Sequence, residues 1–168
     1  SDGWYAWHKD QDPVTGNHLF LNTDVALTEN EYVFSTAPSS TVITTGAADG
    51  SGGHLSAFIC YAWKAVPNVS AFGSHTSQIT SVTGTTPGVG GYCGFKPRFV
   101  MIKRIDGTAA WAMFDSFRGG TWVLEPDGTV NETETNGISV TFESKGFTTG
   151  SSNMVGASSQ DYISIAFA

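Results

Sequence analysis

Apolar residues along this chain come in short runs divided by Gly, Ser, Thr, Asn and Asp, and no run carries the three-to-four-residue spacing of an amphipathic helix. The pattern predicts strands at 4–8, 19–22, 41–45, 55–64, 72–75, 78–82, 98–104, 110–115, 121–124, 138–142, 146–149 and 162–167. These segments are rich in β-branched and aromatic residues and are punctuated by Asp49-Gly50, Asp106-Gly107, Asp127-Gly128 and Asn136-Gly137 turns. Many short strands with regular turn signals indicate an all-β sandwich or barrel. The run Phe99-Val100-Met101-Ile102 is apolar on both faces, which predicts a central strand covered from both sides. By contrast, Ile138, Val140 and Phe142 alternate with Ser139 and Thr141, as on a strand with one wet face.

The pattern also repeats. Ile43-Thr44-Thr45-Gly46 returns as Phe147-Thr148-Thr149-Gly150, and Phe58-Ile59-Cys60-Tyr61-Ala62-Trp63 returns at the same spacing as Tyr162-Ile163-Ser164-Ile165-Ala166-Phe167. Upstream, Trp4-Tyr5-Ala6-Trp7-His8 lines up with Trp111-Ala112-Met113-Phe114-Asp115, and Leu19 to Asp24 with Trp122 to Asp127, the offset drifting as loop indels require. Such repetition speaks to architecture before chemistry. It predicts one domain over 1–168, a jelly-roll-like β-sandwich of two duplicated units, the first about 1–65 and the second about 95–168. Between them, 66–94 is rich in Gly, Ser and Thr, and is expected to form a surface loop or arm.

At 168 residues the chain can bury a substantial core without staples. Only 14% of residues are charged and twenty are Gly, a composition suited to short strands and tight turns. The net charge of −7 argues against nucleic acid as a partner, since phosphate binding needs Lys and Arg, and Lys96, Arg98, Lys103 and Arg104 spread along a single strand and its ends. No apolar run approaches the length of a membrane-spanning helix, and no signal peptide is visible. The start at Ser1 without Met suggests a processed chain or a segment of a longer one.

Candidate chemistry is sparse. His8, His18, His54 and His75 show no paired metal-ligand spacing, and no nucleophile elbow, phosphate loop or zinc-protease helix occurs. Cys60 and Cys93 could form one disulfide, but Cys60 lies between Phe58 and Ala62 in a buried-looking run, which favours a buried free thiol. The carboxylate pairs Glu125 with Asp127 and Glu29 with Glu31 sit in polar turns, where solvated carboxylates are common. Asp10 with Asp12, or Asp127 with Asn131 and Glu132, offer oxygen ligands without the regular calcium-loop spacing. The expectation is therefore no metal, no cofactor and no catalytic residue. Trp4, Trp7, Trp63, Trp111 and Trp122 all fall in predicted strands and are expected in the core, with Trp4 and Trp111 in equivalent roles.

Several strings resemble a family. Trp7-His8-Lys9-Asp10, Leu19-Phe20-Leu21-Asn22-Thr23, Ser40-Thr41-Val42-Ile43-Thr44-Thr45-Gly46 and Ala71-Phe72-Gly73-Ser74-His75-Thr76 are similar to a repeat domain of virion structural proteins of tailed bacteriophages, many of them marine. So are Gly94-Phe95-Lys96-Pro97-Arg98 with the strand that follows, Trp111-Ala112-Met113-Phe114-Asp115-Ser116-Phe117-Arg118-Gly119, and the closing Tyr162 to Ala168. The resemblance spans nearly the whole chain and implies a non-enzymatic component of a tail, fibre or capsid surface. Its expected partners are other virion proteins and copies of itself, and its expected location is the extracellular particle. The alternative is a carbohydrate- or receptor-binding module that attaches to a host-surface glycan. In either case the expected contact regions are the 84–94 loop and residues 127–136, with Tyr92, Asp127, Asn131 and Glu132 as candidate contacts.

Overall fold

A computed structural model of the chain describes residues 3–11, 16–29, 34, 36–44, 59–76, 91–129, 131–134 and 137–168. The described residues are all β, without a helix, and therefore include no helix long and apolar enough to cross a membrane. The strands are β1 (Tyr5–Ala6), β2 (Asn17–Phe20), β3 (Thr28–Glu29), β4 (Ser70–Thr76), β5 (Phe99–Arg104) and β6 (Ala112–Asp115). They continue with β7 (Trp122–Val123), β8 (Thr133–Glu134), β9 (Val140–Glu143), β10 (Gly146–Thr149) and β11 (Asp161–Phe167).

The centre is a four-stranded antiparallel sheet in the order β4-β11-β5-β6. Its register pairs Tyr162 with His75 on one side and Arg104 on the other, and Val100 with Phe114. Because side chains alternate along a strand, that register sends Val100, Ile102, Ala112, Phe114, Tyr162 and Ala166 to one face. There they pack with Val123, Val140, Phe147 and Val155 from β7, the β9–β10 hairpin and the 150–160 loop. Ile163 and Met101 point to the other face, where Leu19 of β2 and Leu21 and Leu27 from the β2–β3 connection cover them together with Trp111. The central sheet is thus sandwiched, and the expected cover of β5 on both sides is observed, with Val100 and Ile102 fully buried on one face and Lys103 fully buried beside partly buried Met101 on the other. The stacked antiparallel sheets are consistent with a β-sandwich.

Two polar side chains tie the 150–160 loop to this core. Tyr162 is fully buried, and its hydroxyl accepts from Ala157 N at 3.0 Å and donates to Asn153 O at 3.0 Å, tying the 150–160 loop onto the sheet. Arg104 reaches the same loop through Asn153 and closes its own turn on Asp106 at 2.7 Å.

Some expected strands differ. Residues 41–44 are exposed and outside any sheet, because Ser39 Oγ accepts from Thr41 N (3.2 Å) and Val42 N (2.9 Å) and bends the chain into a local turn. Residues 59–64, expected as a buried strand, are exposed and pair with no strand among the described residues, while 55–58 and the strand expected at 78–82 lie outside the described residues. Short strands β3 and β8 are absent from the pattern, since two-residue pairings leave no periodicity to read.

The aromatic expectation also needs correction. Trp111 is 2% exposed, but Trp4 is 63% exposed, and Trp63 and Trp122 also reach solvent. Trp111 precedes β6 beneath the β1–β2 layer, whereas Trp4 belongs to that covering layer. Its backbone is paired, through Leu21 N to Trp4 O at 2.8 Å, while its ring faces outward. The expected equivalence of Trp4 and Trp111 does not extend to burial.

Candidate interaction surfaces

The most unusual buried group is Lys103, on β5 and without solvent exposure. Its Nζ donates to the carbonyls of Ala109 (2.8 Å), Arg104 (2.9 Å) and Asp24 (3.2 Å), so all three ammonium donors are used. Burial pushes the ammonium down to about 8, against the pull of the Asp127 and Asp24 carboxylates. Asp24 and Asp127 occupy matching turns in the sequence repeat, and both lie close enough to influence this one cation. Trp111 reinforces the junction: its Nε1 donates to Phe20 O at 2.8 Å and its backbone N to Asp127 Oδ1 at 3.1 Å. With its donors spent on backbone carbonyls, Lys103 pins the loops at Asp24 and Ala109 to the end of β5.

The described histidines are held in the same way. His8 Nδ1 accepts from Asp10 N (3.1 Å), which leaves the proton on Nε2 to donate to Ser164 O (3.2 Å). His75 meets Val155 O at 3.2 Å and stacks on Tyr162 with ring centroids 5.1 Å apart, while His18 lies edge-on to Tyr5 and Phe20. Burial lowers the pKa of all three. His54 lies outside the described residues. Both cysteines are free, and Cys60 is exposed, contrary to the expected buried thiol, because the segment that carries it leaves the sheet. Cys93 is half-buried, and burial pushes its thiol up to about 11.

The outer surface is where large apolar side chains stand free. Phe117 is 99% exposed at the tip of the turn after β6. That turn is tightly held: Asp115 Oδ1 accepts from Phe117 N (3.0 Å) and Arg118 N (2.9 Å), Ser116 N donates to Arg98 O (2.8 Å), and Gly119 adopts φ +96°. Arg118 bridges the Asp115 and Glu132 carboxylates, fastening the turn to the strand segment at 131–134. These bonds hold the Asp115 carboxyl below its ordinary range, the Arg118 backbone N–H contributing most.

The four expected contact residues do not form one site. Glu132 faces Arg118 and Asn131 is exposed beside it, which places both near the Phe117 turn. Tyr92 is exposed in a β-bridge to Gly146, against β10. Asp127 is half-buried, its carboxyl pushed up by burial, and accepts from Trp111 N beside Lys103. Glu125 is likewise pushed up, by burial and then by Asp127. Asp12 and Glu31 lie outside the described residues, and among the described residues no group of three His, Cys, Asp or Glu is placed to hold a metal.

Residues 1–168 match DUF7483, a domain of unknown function, over the whole chain. The chain belongs to the DUF7483 family. No curated protein and no solved structure matches it.

Two surface features of this DUF7483 domain escape a reading of the sequence. Phe117 has a visible signal in hindsight, a large apolar residue in the middle of the Asp115-Ser116-Phe117-Arg118-Gly119 turn, where burial is least attainable. Ile59, Tyr61 and Trp63 carry the opposite signal, since their alternation is that of a packed strand although all three are exposed, with the Tyr61 and Trp63 rings stacked at 6.1 Å.

Proposed function

We propose that this chain is a non-enzymatic structural component of a tailed-phage particle, in a tail, fibre or capsid-decorating position, assembled in multiple copies from two duplicated, jelly-roll-like β units. The observation that carries the reading is Phe117, a fully exposed aromatic on a turn fixed by Asp115, Arg118 and Glu132. Presenting a phenyl ring to water on a fixed turn brings no benefit to an isolated domain, but an exposed aromatic anchor is what a protein interface uses at its centre. The sequence resemblance to virion structural repeats supports the same reading, as does the use of buried His and Lys side chains to tie backbone rather than to line a cleft. Partners are then other virion proteins and further copies of the chain, on an extracellular particle.

The test is co-sedimentation of purified chain with particles lacking it. Wild type should bind, and Phe117→Ala, which removes no packed contact, should bind at least tenfold more weakly with unchanged thermal stability. Equal binding by both proteins would remove Phe117 from the interface, and no binding by wild type would sink the structural reading.

Exposed rings also favour a second reading, attachment to a host-surface glycan, because Tyr92 and the stacked Tyr61–Trp63 pair present aromatic faces of the kind sugar rings stack upon. A glycan array separates the two. Specific binding lost in Tyr92→Ala supports the glycan reading, and a blank array removes it.

A further inference from the structure

We infer that the β1–β2 hairpin is a flap over the central sheet, latched by His8 and released by acid. The two ends of the hairpin are fastened unequally. From the end of β2 onward the chain is stitched to the end of β5 and to the β5–β6 connection. There Trp111 Nε1 donates to Phe20 O (2.8 Å), Leu27 N to Ile105 O (3.0 Å), and Ala109 N (2.9 Å) and Lys103 Nζ (3.2 Å) to Asp24 O. The opposite end, where β1 runs into the turn at 8–11 and β2 begins, has a single tie. Among the described residues, His8 Nε2 donating to Ser164 O of β11 at 3.2 Å is the one hydrogen bond that joins 5–19 to the central sheet. The hairpin is therefore hinged at one end and latched at the other.

The latch is built for a neutral imidazole. His8 Nδ1 accepts from Asp10 N at 3.1 Å, so a second ring proton would point at an N–H already there. The same turn is closed by His8 N donating to Gln11 Oε1 (3.0 Å) and Gln11 N donating to His8 O (3.1 Å), and Gln11 Nε2 donates to Asn17 O at the start of β2. His8 and Gln11 are buried, so bonds broken here are not replaced by water while the flap is shut. The charged groups facing the ring are Asp10 and Lys9, both on its own turn and paired with each other at 2.7 Å. β11 offers the Ser164 carbonyl and β4 the Phe72 ring, with centroids 6.2 Å apart, and neither is ionisable. Burial lowers the His8 pKa against the pull of Asp10.

His18, on the same hairpin, is set in the same way. It is fully buried, its Nδ1 meets Gly16 O at 3.3 Å, and its Nε2 is enclosed without a hydrogen-bond partner. The Tyr5 and Phe20 rings stand edge-on to it, and Tyr5 is the titratable group among these described neighbours. Burial lowers the His18 pKa as well. In an open flap both histidines take up a proton at their ordinary 6.5, and in the shut flap only at lower pH. The open form therefore gains as pH falls through 6.5, by up to about tenfold per pH unit for each histidine until the shut-form value is passed. Opening lifts Leu19 from Ile163 and Met101 and bares an apolar face that is sealed at neutral pH.

The test is amide hydrogen exchange of the chain at pH 7.5 and 5.5, corrected for the intrinsic rate. Wild type should lose protection at 5–8 and 17–20 by at least about fivefold on acidification, with 161–167 unchanged. His8→Gln, whose amide can still donate to Ser164 O, should lose less, and His8→Gln/His18→Gln should lose none. His75→Gln, on β4, should respond as wild type does. An equal loss in the double variant and wild type, or an equal loss along 161–167, overturns the inference. Should the variants not fold, nitrogen NMR of the wild-type imidazoles decides. His8 protonated on Nε2 alone at pH 7, and still neutral below 6.5 while the flap is shut, is the expected result; a folded-state His8 titrating at 6.5 overturns the latch.

Discussion

Replacing Lys103 by Met turns a buried cation into an apolar side chain of similar reach, and the consequence is best read through pH. An unfolded chain holds the lysine proton up to its ordinary value of 10.5, whereas the folded protein releases it at about 8. Between those values the unfolded state binds more protons, so this group's contribution to stability rises with pH across the window and is flat below it. A shift of that size amounts to about 3 kcal/mol, entering at up to about 1.4 kcal/mol per pH unit. Cys93 and Tyr162, both pushed up by burial, act in the opposite sense, because their folded forms keep protons the unfolded chain has lost. Both are present in wild type and variant, so the difference between the two proteins isolates Lys103. Urea unfolding of each at pH 7, 8, 9 and 10 should show wild type gaining on Lys103→Met by about 2 to 3 kcal/mol from pH 7 to 10, whatever the offset at pH 7. A constant difference would mean that the carbonyls of Ala109, Arg104 and Asp24 fully compensate burial and that the argument from desolvation is wrong.

Trp111→Ala should cost about 3 to 5 kcal/mol and Trp111→Phe about 1 to 2, the latter reflecting the lost bond to Phe20 O, while Trp4→Ala should stay within about 1 kcal/mol by denaturant titration. Gly120→Ala should unfold the chain or cost more than about 3 kcal/mol, because a Cβ there would overlap the Val140 carbonyl oxygen, and the two backbones are held together by Val140 N donating to Gly120 O at 2.8 Å. Gly137→Ala, with open space around the added methyl, should change thermal stability by less than about 0.5 kcal/mol. With a colorimetric disulfide reagent at pH 8, one thiol per chain, Cys60, should react at once and Cys93 only on denaturation; two fast thiols would contradict the burial of Cys93.

The strands legible in the sequence are those whose pattern reports their own surroundings. β5 is apolar on both faces and is covered on both, and β9 and β10 emerge close to their expected limits because Ser144 and Lys145 leave room for only a short turn. The 59–64 segment departs from its pattern because alternation encodes what a strand can pack against and not whether a neighbour stands there, and among the described residues no strand pairs with it. Trp4 and Trp111 show the complementary limit: identical residues in matching positions differ in burial because one belongs to the covering layer and the other lies beneath it. Lys103 leaves no trace in the pattern, since its partners are carbonyls that every residue possesses. Phe117 is hidden because aromatic character ordinarily marks the interior, and only the turn around it says otherwise.

The order β4-β11-β5-β6 has a consequence for how the chain comes into being. β11 supplies the central neighbour of both β4 and β5, and it is made long after either, Asp161 closing on Thr76 and Tyr162 on Arg104. During synthesis those earlier strands must wait with an edge unsatisfied until β11 leaves the ribosome, and folding is then governed by distant pairings, which places it in the slower, millisecond-to-second regime. The waiting chain is at its most vulnerable to association with its neighbours at that stage, and expression at low temperature or with a holding chaperone should raise its soluble yield.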